Sequence, residues 1–356
     1  MGKPATWGLI GFGNIGHEVL RQISQSAVAK RIGLEQKPLY IFERVGVLGP
    51  DGRTLTKYKD LSELPELADV NFIALPSSND GKLALSYILP LLEKGKLVIT
   101  AEKGALANHF SGLKAASDGF KRFGITATVG GGTRLLYVAR EYSQDIDNIT
   151  QIHLALNGTL AAMMDWVSPV AKKDGFSLDE AAKQAVAHGY AEPGSTSPAA
   201  IIKAEAEGDI PKKLAIFYNI VGLGPSLVDW SALQFSLTDE QITQAASKTS
   251  PRRFIASLYS PAYVADNPAA PKDDIIGGFN IEHDGWRLVG GFRRADADPL
   301  FAPLANLSGP GNGIVVGLGP DASDGVYAVT GPGAGVNPTV NAMIDDFIRL
   351  KVKQAS

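Results

Sequence analysis

The chain opens on a short apolar run, Trp7 to Ile10, followed by glycine punctuation and then by Val19, Leu20 and Ile23 at helical spacing within "GNIGHEVLRQI". A four-residue apolar run bounded by glycine predicts a buried strand, and the spacing after it predicts a helix with one face inward. The same rhythm recurs: "PLYIFERVGVLG" reads as a second strand region, "VNFIAL" and "LVIT" as later strands, and "LALSYILPLLEKG" and "SGLKAASDGFKRFG" as helices between and after them. Short strands alternating with longer helices predict a doubly wound parallel sheet, because parallel neighbours need helical crossovers. Further along the pattern changes. "IIGGFNIEHDGWRLVGGFRRAD" and "GIVVGLG" with "DGVYAVTGPGAG" alternate apolar and polar positions between turn glycines, which predicts antiparallel strands. "TVNAMIDDFIRLKV" returns to a helical period. The expectation is an α/β Rossmann-type domain over 1–140, completed by a C-terminal helix over 336–356. An α+β catalytic and dimerisation domain with a mostly antiparallel sheet is expected over 141–335.

Composition narrows the function. With 356 residues, 45% of them apolar, the chain can bury a sizeable core in two globular parts. A net charge of −3 and no Lys/Arg-rich stripe argue against a nucleic-acid partner. The absence of cysteine excludes disulfides and thiolate metal sites, and five scattered histidines lack metal-ligand spacing, so no metal is expected. "TSPRR" reads as a turn carrying a solvated basic pair. No charged leader and no membrane-length apolar run are present, so a soluble cytoplasmic protein without a membrane partner is expected.

Two stretches carry chemistry. Gly11, Gly13 and Gly16 form GxGxxG between a predicted strand and a predicted helix. The first glycine makes the tight turn, the second admits a pyrophosphate, and the third allows the helix to pack on the strand. Phe12, Asn14 and Ile15 complete this loop as candidate cofactor contacts. No clear acidic ending to the second strand is read, so NAD and NADP stay equally open as cofactors. The second stretch is "GDIPKKLAI", with Asp209 and Lys213 four residues apart on one side of a helix. Asp209 reads as an N-cap and Pro211 as a first-turn residue. A positioned lysine can also polarise a carbonyl and protonate the oxyanion formed on reduction, with the aspartate holding it in place. Lys103, just past a strand end, could act on the same oxygen or bind a carboxylate.

From "TAEK" (100–103) and "ATVGGG" (127–132) onward the chain resembles the homoserine dehydrogenase family. The likeness continues through "NGT" (157–159), "GYAE" (189–192), the Asp209/Lys213 pair and "GPGAGVNPT" (331–339). It implies NAD(P)-dependent interconversion of L-aspartate 4-semialdehyde and L-homoserine in a homodimer, in a short form without a kinase or C-terminal regulatory domain. It implies that Lys213, Asp209 and Lys103 serve catalysis, and that Glu192, Tyr190, Asn157, Gly158 and Thr159 bind a small-molecule substrate. It implies as well that Ser77, Thr100, Lys103 and Gly333 join the glycine loop in holding the cofactor. The chain also departs from the family's pattern. Glu102 replaces the usual Asn, Arg134 the usual Pro, and Thr126 a glutamate of a monovalent-cation site, while an aspartate usual before the Asp/Lys pair is absent, leaving Glu205 and Glu207 as the nearby acids. These departures keep open the same hydride chemistry on another small hydroxy or keto acid, and a dinucleotide-binding sensor without turnover.

Overall fold

The computed structural model describes residues 3–43, 46–48, 55–56, 61–64, 66–168, 175–191, 197–247, 252–271, 273–294 and 296–355. It divides into two compact units, residues 1–128 with 336–356, and residues 129–335.

The first unit carries a seven-stranded sheet. Its strands in chain order are β1 (Trp7–Ile10), β2 (Tyr40–Glu43), β3 (Gly46–Leu48), β4 (Leu55–Thr56), β5 (Val70–Ile73), β6 (Leu97–Thr100) and β7 (Phe123–Gly124), and their spatial order is β4-β3-β2-β1-β5-β6-β7. β2, β1, β5, β6 and β7 run parallel, whereas β3 and β4 form an antiparallel margin. The second strand region read from the sequence is therefore two strands, and β2 ends at Glu43 before the chain reverses. Both faces of β1 are buried, as a central parallel strand requires. Its Trp7 and Leu9 pack with Val19 and Ile23 of the first helix and with Val340, Met343 and Phe347 of the last helix, Val336–Ala355. Asp346 on that helix accepts from the Thr126 amide and hydroxyl, which fastens it to the chain just past β7.

The second unit carries a six-stranded antiparallel sheet built from β8 (Ile149–Ala155), β9 (Arg252–Tyr259), β10 (Ile276–His283), β11 (Trp286–Arg294), β12 (Gly311–Leu318) and β13 (Gly325–Pro332), ordered β10-β11-β9-β8-β12-β13. β10 and β11 are joined by Asp284 and Gly285, both at positive φ, the two-residue hairpin geometry that matches strand twist. The basic pair of "TSPRR" is not a solvated turn. Arg252 and Arg253 open β9 and are buried, Arg252 against Asp274 and Arg253 against Asp165 and the carbonyls of Ala161 and Leu307. Each guanidinium is tolerated inside because its donors are satisfied by carbonyls and a carboxylate.

The N-cap reading of Asp209 also fails. The backbone is helical from Pro198 to Val221 without a break, and Asp209 lies in the right-handed helical region with no capping bond from its side chain. Residues Ala204–Asp209 form a π-helical turn. Pro211 has no N–H to give the carbonyl four residues back and its ring crowds it, so the preceding turn opens to the wider spacing. Among the described residues no helix is long and apolar enough to cross a membrane.

His153 sits on β8 without exposed surface. Its Nδ1 lies 2.8 Å from the Ser257 hydroxyl, which also accepts from Arg293. Burial, and secondarily the nearby Arg293 charge, push the imidazole down to about 3. The folded protein keeps His153 neutral where the unfolded chain takes up a proton, so its contribution to stability is full above the unfolded value and is lost as pH falls. By pH 5 the loss reaches about 2 kcal/mol. Urea unfolding of the wild type and His153→Gln at pH 7.5 and pH 5 checks this: the wild type's stability relative to the variant should shrink by that amount, and a difference independent of pH contradicts it.

Candidate functional site

In the first unit the predicted cofactor residues collect at the carboxyl edge of the parallel sheet. Gly11 adopts φ +95, and a Cβ there would lie 2.5 Å from the Ala74 carbonyl oxygen, so only glycine fits. A Cβ on Gly16 would meet the Gly11 oxygen at 2.2 Å, whereas one on Gly13 would meet nothing. The helix Asn14–Ile23 therefore starts against a closed turn on one side and open space on the other. Its first amides receive no side-chain cap. Unsatisfied amides at a helix start, under a glycine that leaves room, fit a dinucleotide pyrophosphate. Ile15 packs toward the core, Asn14 is exposed, and Phe12 stacks on His17 at 3.8 Å.

Past β5 and β6, exposed Ser77 accepts from the Lys103 amide at 3.2 Å. Thr100 has no exposed surface, and its hydroxyl accepts from the Glu102 amide. The sequence reading missed one residue here: Glu43, the last residue of β2, stands where a carboxylate can accept from an adenosine ribose hydroxyl. It escaped notice because the strand was read through to "VGVLG"; β3, starting at Gly46, instead pairs antiparallel with β2.

The second unit gathers another cluster. Asn157 is the N-cap of the helix Gly158–Val167, its side-chain oxygen accepting from the Leu160 amide at 2.8 Å. Its Nδ2 donates to Asp209 Oδ2 at 2.8 Å and to Glu205 Oε2. Exchanging oxygen and nitrogen would lose all three bonds, so the amide has one orientation. Lys213 Nζ lies 2.5 Å from Asp209 Oδ2 and donates to the Leu156 carbonyl at 2.8 Å, with its side chain only 12% exposed. The same carbonyl accepts from Asn312, a fully buried residue of β12 that the sequence reading did not single out.

The glycines of this cluster are spacers. A Cβ on Gly158 would collide with Ala334 and the Pro310 oxygen, and one on Gly333 with the Asn312 amide. Gly333 thus belongs to the Asn157 cluster through Asn312. Thr159 donates to the Tyr190 carbonyl at 2.9 Å, while the Tyr190 ring stacks with His188 and Trp166. Glu192 lies outside the described residues. Of the two acids left near the pair, Glu207 accepts from the Leu237 amide and Glu205 reaches Asn157. Two residues apart, the two acids point to different sides of the helix.

Two departures from the resembled family have structural form. Arg134 sits at φ +57 just after the Gly131–Thr133 turn, a conformation proline cannot take, so this turn runs differently from one carrying proline. Thr126 is tied to Asp346. Among the described residues no cluster of His, Asp and Glu suited to a metal ion is found.

Comparison with known proteins agrees with this picture. The chain is 28% identical to the homoserine dehydrogenase of Mycobacterium leprae over 357 aligned positions, spanning 96% of this chain and 70% of that protein. It is 28% identical to an NAD(+)-dependent homoserine dehydrogenase of Pseudomonas canavaninivorans, over 76% of this chain and 67% of that one. In fold it is similar to the homoserine dehydrogenase of Thermoplasma acidophilum, with a TM-score of 0.70, 20% identity, and coverage of 98% of this chain and 100% of the other. The family model for homoserine dehydrogenase matches residues 136–348, more than half of the chain, and this protein therefore belongs to the homoserine dehydrogenase family of oxidoreductases.

Proposed function

We propose that the protein interconverts L-aspartate 4-semialdehyde and L-homoserine with NAD(P), and that Lys213 is the group acting on the reacting oxygen. One observation carries this reading. Of the three protons on the Lys213 ammonium, one points to Asp209 and one to the Leu156 carbonyl, and among the described residues no third acceptor is present. A fixed, largely buried ammonium with a donor to spare suits a developing alkoxide. It can stabilise the charge and then deliver a proton.

The bound nicotinamide supplies the hydride-transfer chemistry. The amides opening the helix Asn14–Ile23, under the open Gly13, would hold its pyrophosphate. Asp209 keeps Lys213 aimed, and Asn157 keeps Asp209 aimed by giving it an N–H while capping its own helix. Glu205, bound to the same Asn157 amide, is suited to the ammonium of an amino-acid substrate and stands in for the aspartate that the sequence lacks. Tyr190 and Thr159 would border the same substrate, with Glu192 as a second carboxylate for its amino group and Lys103 as a second cation in the reaction. The relative from Pseudomonas canavaninivorans is NAD(+)-dependent, and Glu43 suits an unphosphorylated ribose. The outer strand β13, with Val326 and Tyr327 exposed, suits pairing with a second copy of the chain.

Mixing the protein with aspartate semialdehyde and each reduced cofactor, and following cofactor absorbance, tests the reading directly. Oxidation of the cofactor is expected. Firm cofactor binding without turnover on this aldehyde, but with turnover on another small keto acid or aldehyde, would move the substrate assignment. Lys213→Ala should lower kcat by about 10²–10⁴-fold with cofactor Kd nearly unchanged. A fully active variant removes Lys213 from the chemistry. Glu43→Gln should weaken NAD+ about tenfold, the worth of one charge-assisted hydrogen bond, while NADP+ binding improves because a carboxylate no longer opposes the 2′-phosphate. Fluorescence titration reads both constants, and parallel changes for the two cofactors contradict this role of Glu43.

A further inference from the structure

Glu102 is only 1% exposed, yet it is a carboxylate at the end of β6. Its two oxygens each accept a backbone amide, from Gly104 at 2.7 Å and from Ala105 at 2.8 Å. The surrounding backbone is shaped around it. A Cβ on Gly104 would lie 2.8 Å from Glu102 Oε1 and 2.1 Å from the Ser78 oxygen, and one on Gly81 would strike the Ala105 amide. The turn after β5 and the turn after β6 therefore close on one another around this carboxylate. Burial pushes the Glu102 carboxyl up, while the amides of Ala105 and Gly104 and the Lys103 charge act the other way. Burial outweighs them, so the carboxyl lies above the usual carboxylate range, and the two amides directed at its oxygens offset that only in part.

The topology decides what that charge faces. β1 is flanked by β2 on one side and β5 on the other, so the strand order reverses between β1 and β5. A dinucleotide lies across the carboxyl ends at such a switch, its pyrophosphate on the glycine loop after β1. With the ribose of the adenosine half directed to the end of β2, the nicotinamide half falls on the β5 and β6 side. Glu102 is the buried charge there.

We infer that Glu102 sets the redox-state preference of the cofactor site, its carboxylate favouring the positively charged oxidised nicotinamide over the neutral reduced one. The inference rests on the cofactor reading above and deepens it. A neutral side chain at this position would exert no such bias. The same charge makes the bound reduced cofactor a stronger hydride donor, because its oxidised product is the better held. Glu102 is a specificity-determining residue for the cofactor and takes no part in proton transfer.

The test compares dissociation constants of NAD+ and NADH, and of NADP+ and NADPH, for the wild type, Glu102→Gln, Glu102→Asn and Glu102→Asp at pH 8, by calorimetry without substrate. A unit charge acting over about 10 Å through a medium of effective dielectric about 20 alters a binding ratio by about tenfold. Removing the charge in the Gln or Asn variant should therefore raise the ratio of oxidised to reduced Kd about tenfold, while Asp, which keeps the charge, should hold it near the wild-type value. Two uncharged variants are used so that poor folding of one leaves the comparison intact. Equal weakening of both redox states, or an unchanged ratio in the uncharged variants, overturns the inference while leaving the cofactor reading standing. Failure of the wild type to bind any of the four dinucleotides overturns both.

Discussion

The second unit is organised around the placing of one ammonium. Lys213 is held between a carboxylate and a backbone carbonyl, Asp209 and Leu156, with little access to water. Isolated in that setting, the charge would be costly to bury, and the lysine would turn toward solvent. It stays because its partners are themselves fixed. Asp209 receives an N–H from Asn157, Asn157 is locked by capping its own helix, and the Leu156 carbonyl is shared with a buried Asn312. Removing any one of these leaves another group unsatisfied, which is why the cluster behaves as a unit.

Glu205 and Asp209 meet on the Asn157 amide nitrogen, and Lys213 lies against Asp209. The two acids are four residues apart, the spacing that sets side chains on one face of a helix, and the π-helical turn runs between them. Pro211, which a sequence reading takes as the mark of a helix start, is instead what opens the turn in the middle of a longer helix.

Much of the architecture was legible because each element carried a strong local period. The glycine loop lay between a buried strand and an amphipathic helix, and β10 and β11 alternated around an Asp-Gly turn. The central strands β8 and β9 were not legible: like β12 they are buried along their whole length, and unlike it they have no glycines in or beside them to mark a strand. Arg252 and Arg253 misled for a related reason: a basic pair beside a proline reads as solvated until its acceptors, drawn from residues between 161 and 307, are assembled. Asp209 and Lys213 drew attention through their spacing, and Asn157 through the family resemblance. Their arrangement was not legible, because it depends on a cap, a shared carbonyl and a non-standard turn brought together from positions 156–157, 205–213 and 312. Glu43 was hidden by a strand boundary, the feature that local pattern marks least sharply.

A double-mutant cycle on Asp209 and Lys213 probes the central claim most directly. kcat is measured for Asp209→Asn, Lys213→Ala and the double variant, with cofactor affinity checked in each. If the aspartate acts through the lysine, the double variant should be no slower than the worse single variant, since a positioning group has nothing left to position. Losses that multiply would mean that the two side chains act independently, contradicting the account of a single ammonium placed by its partners.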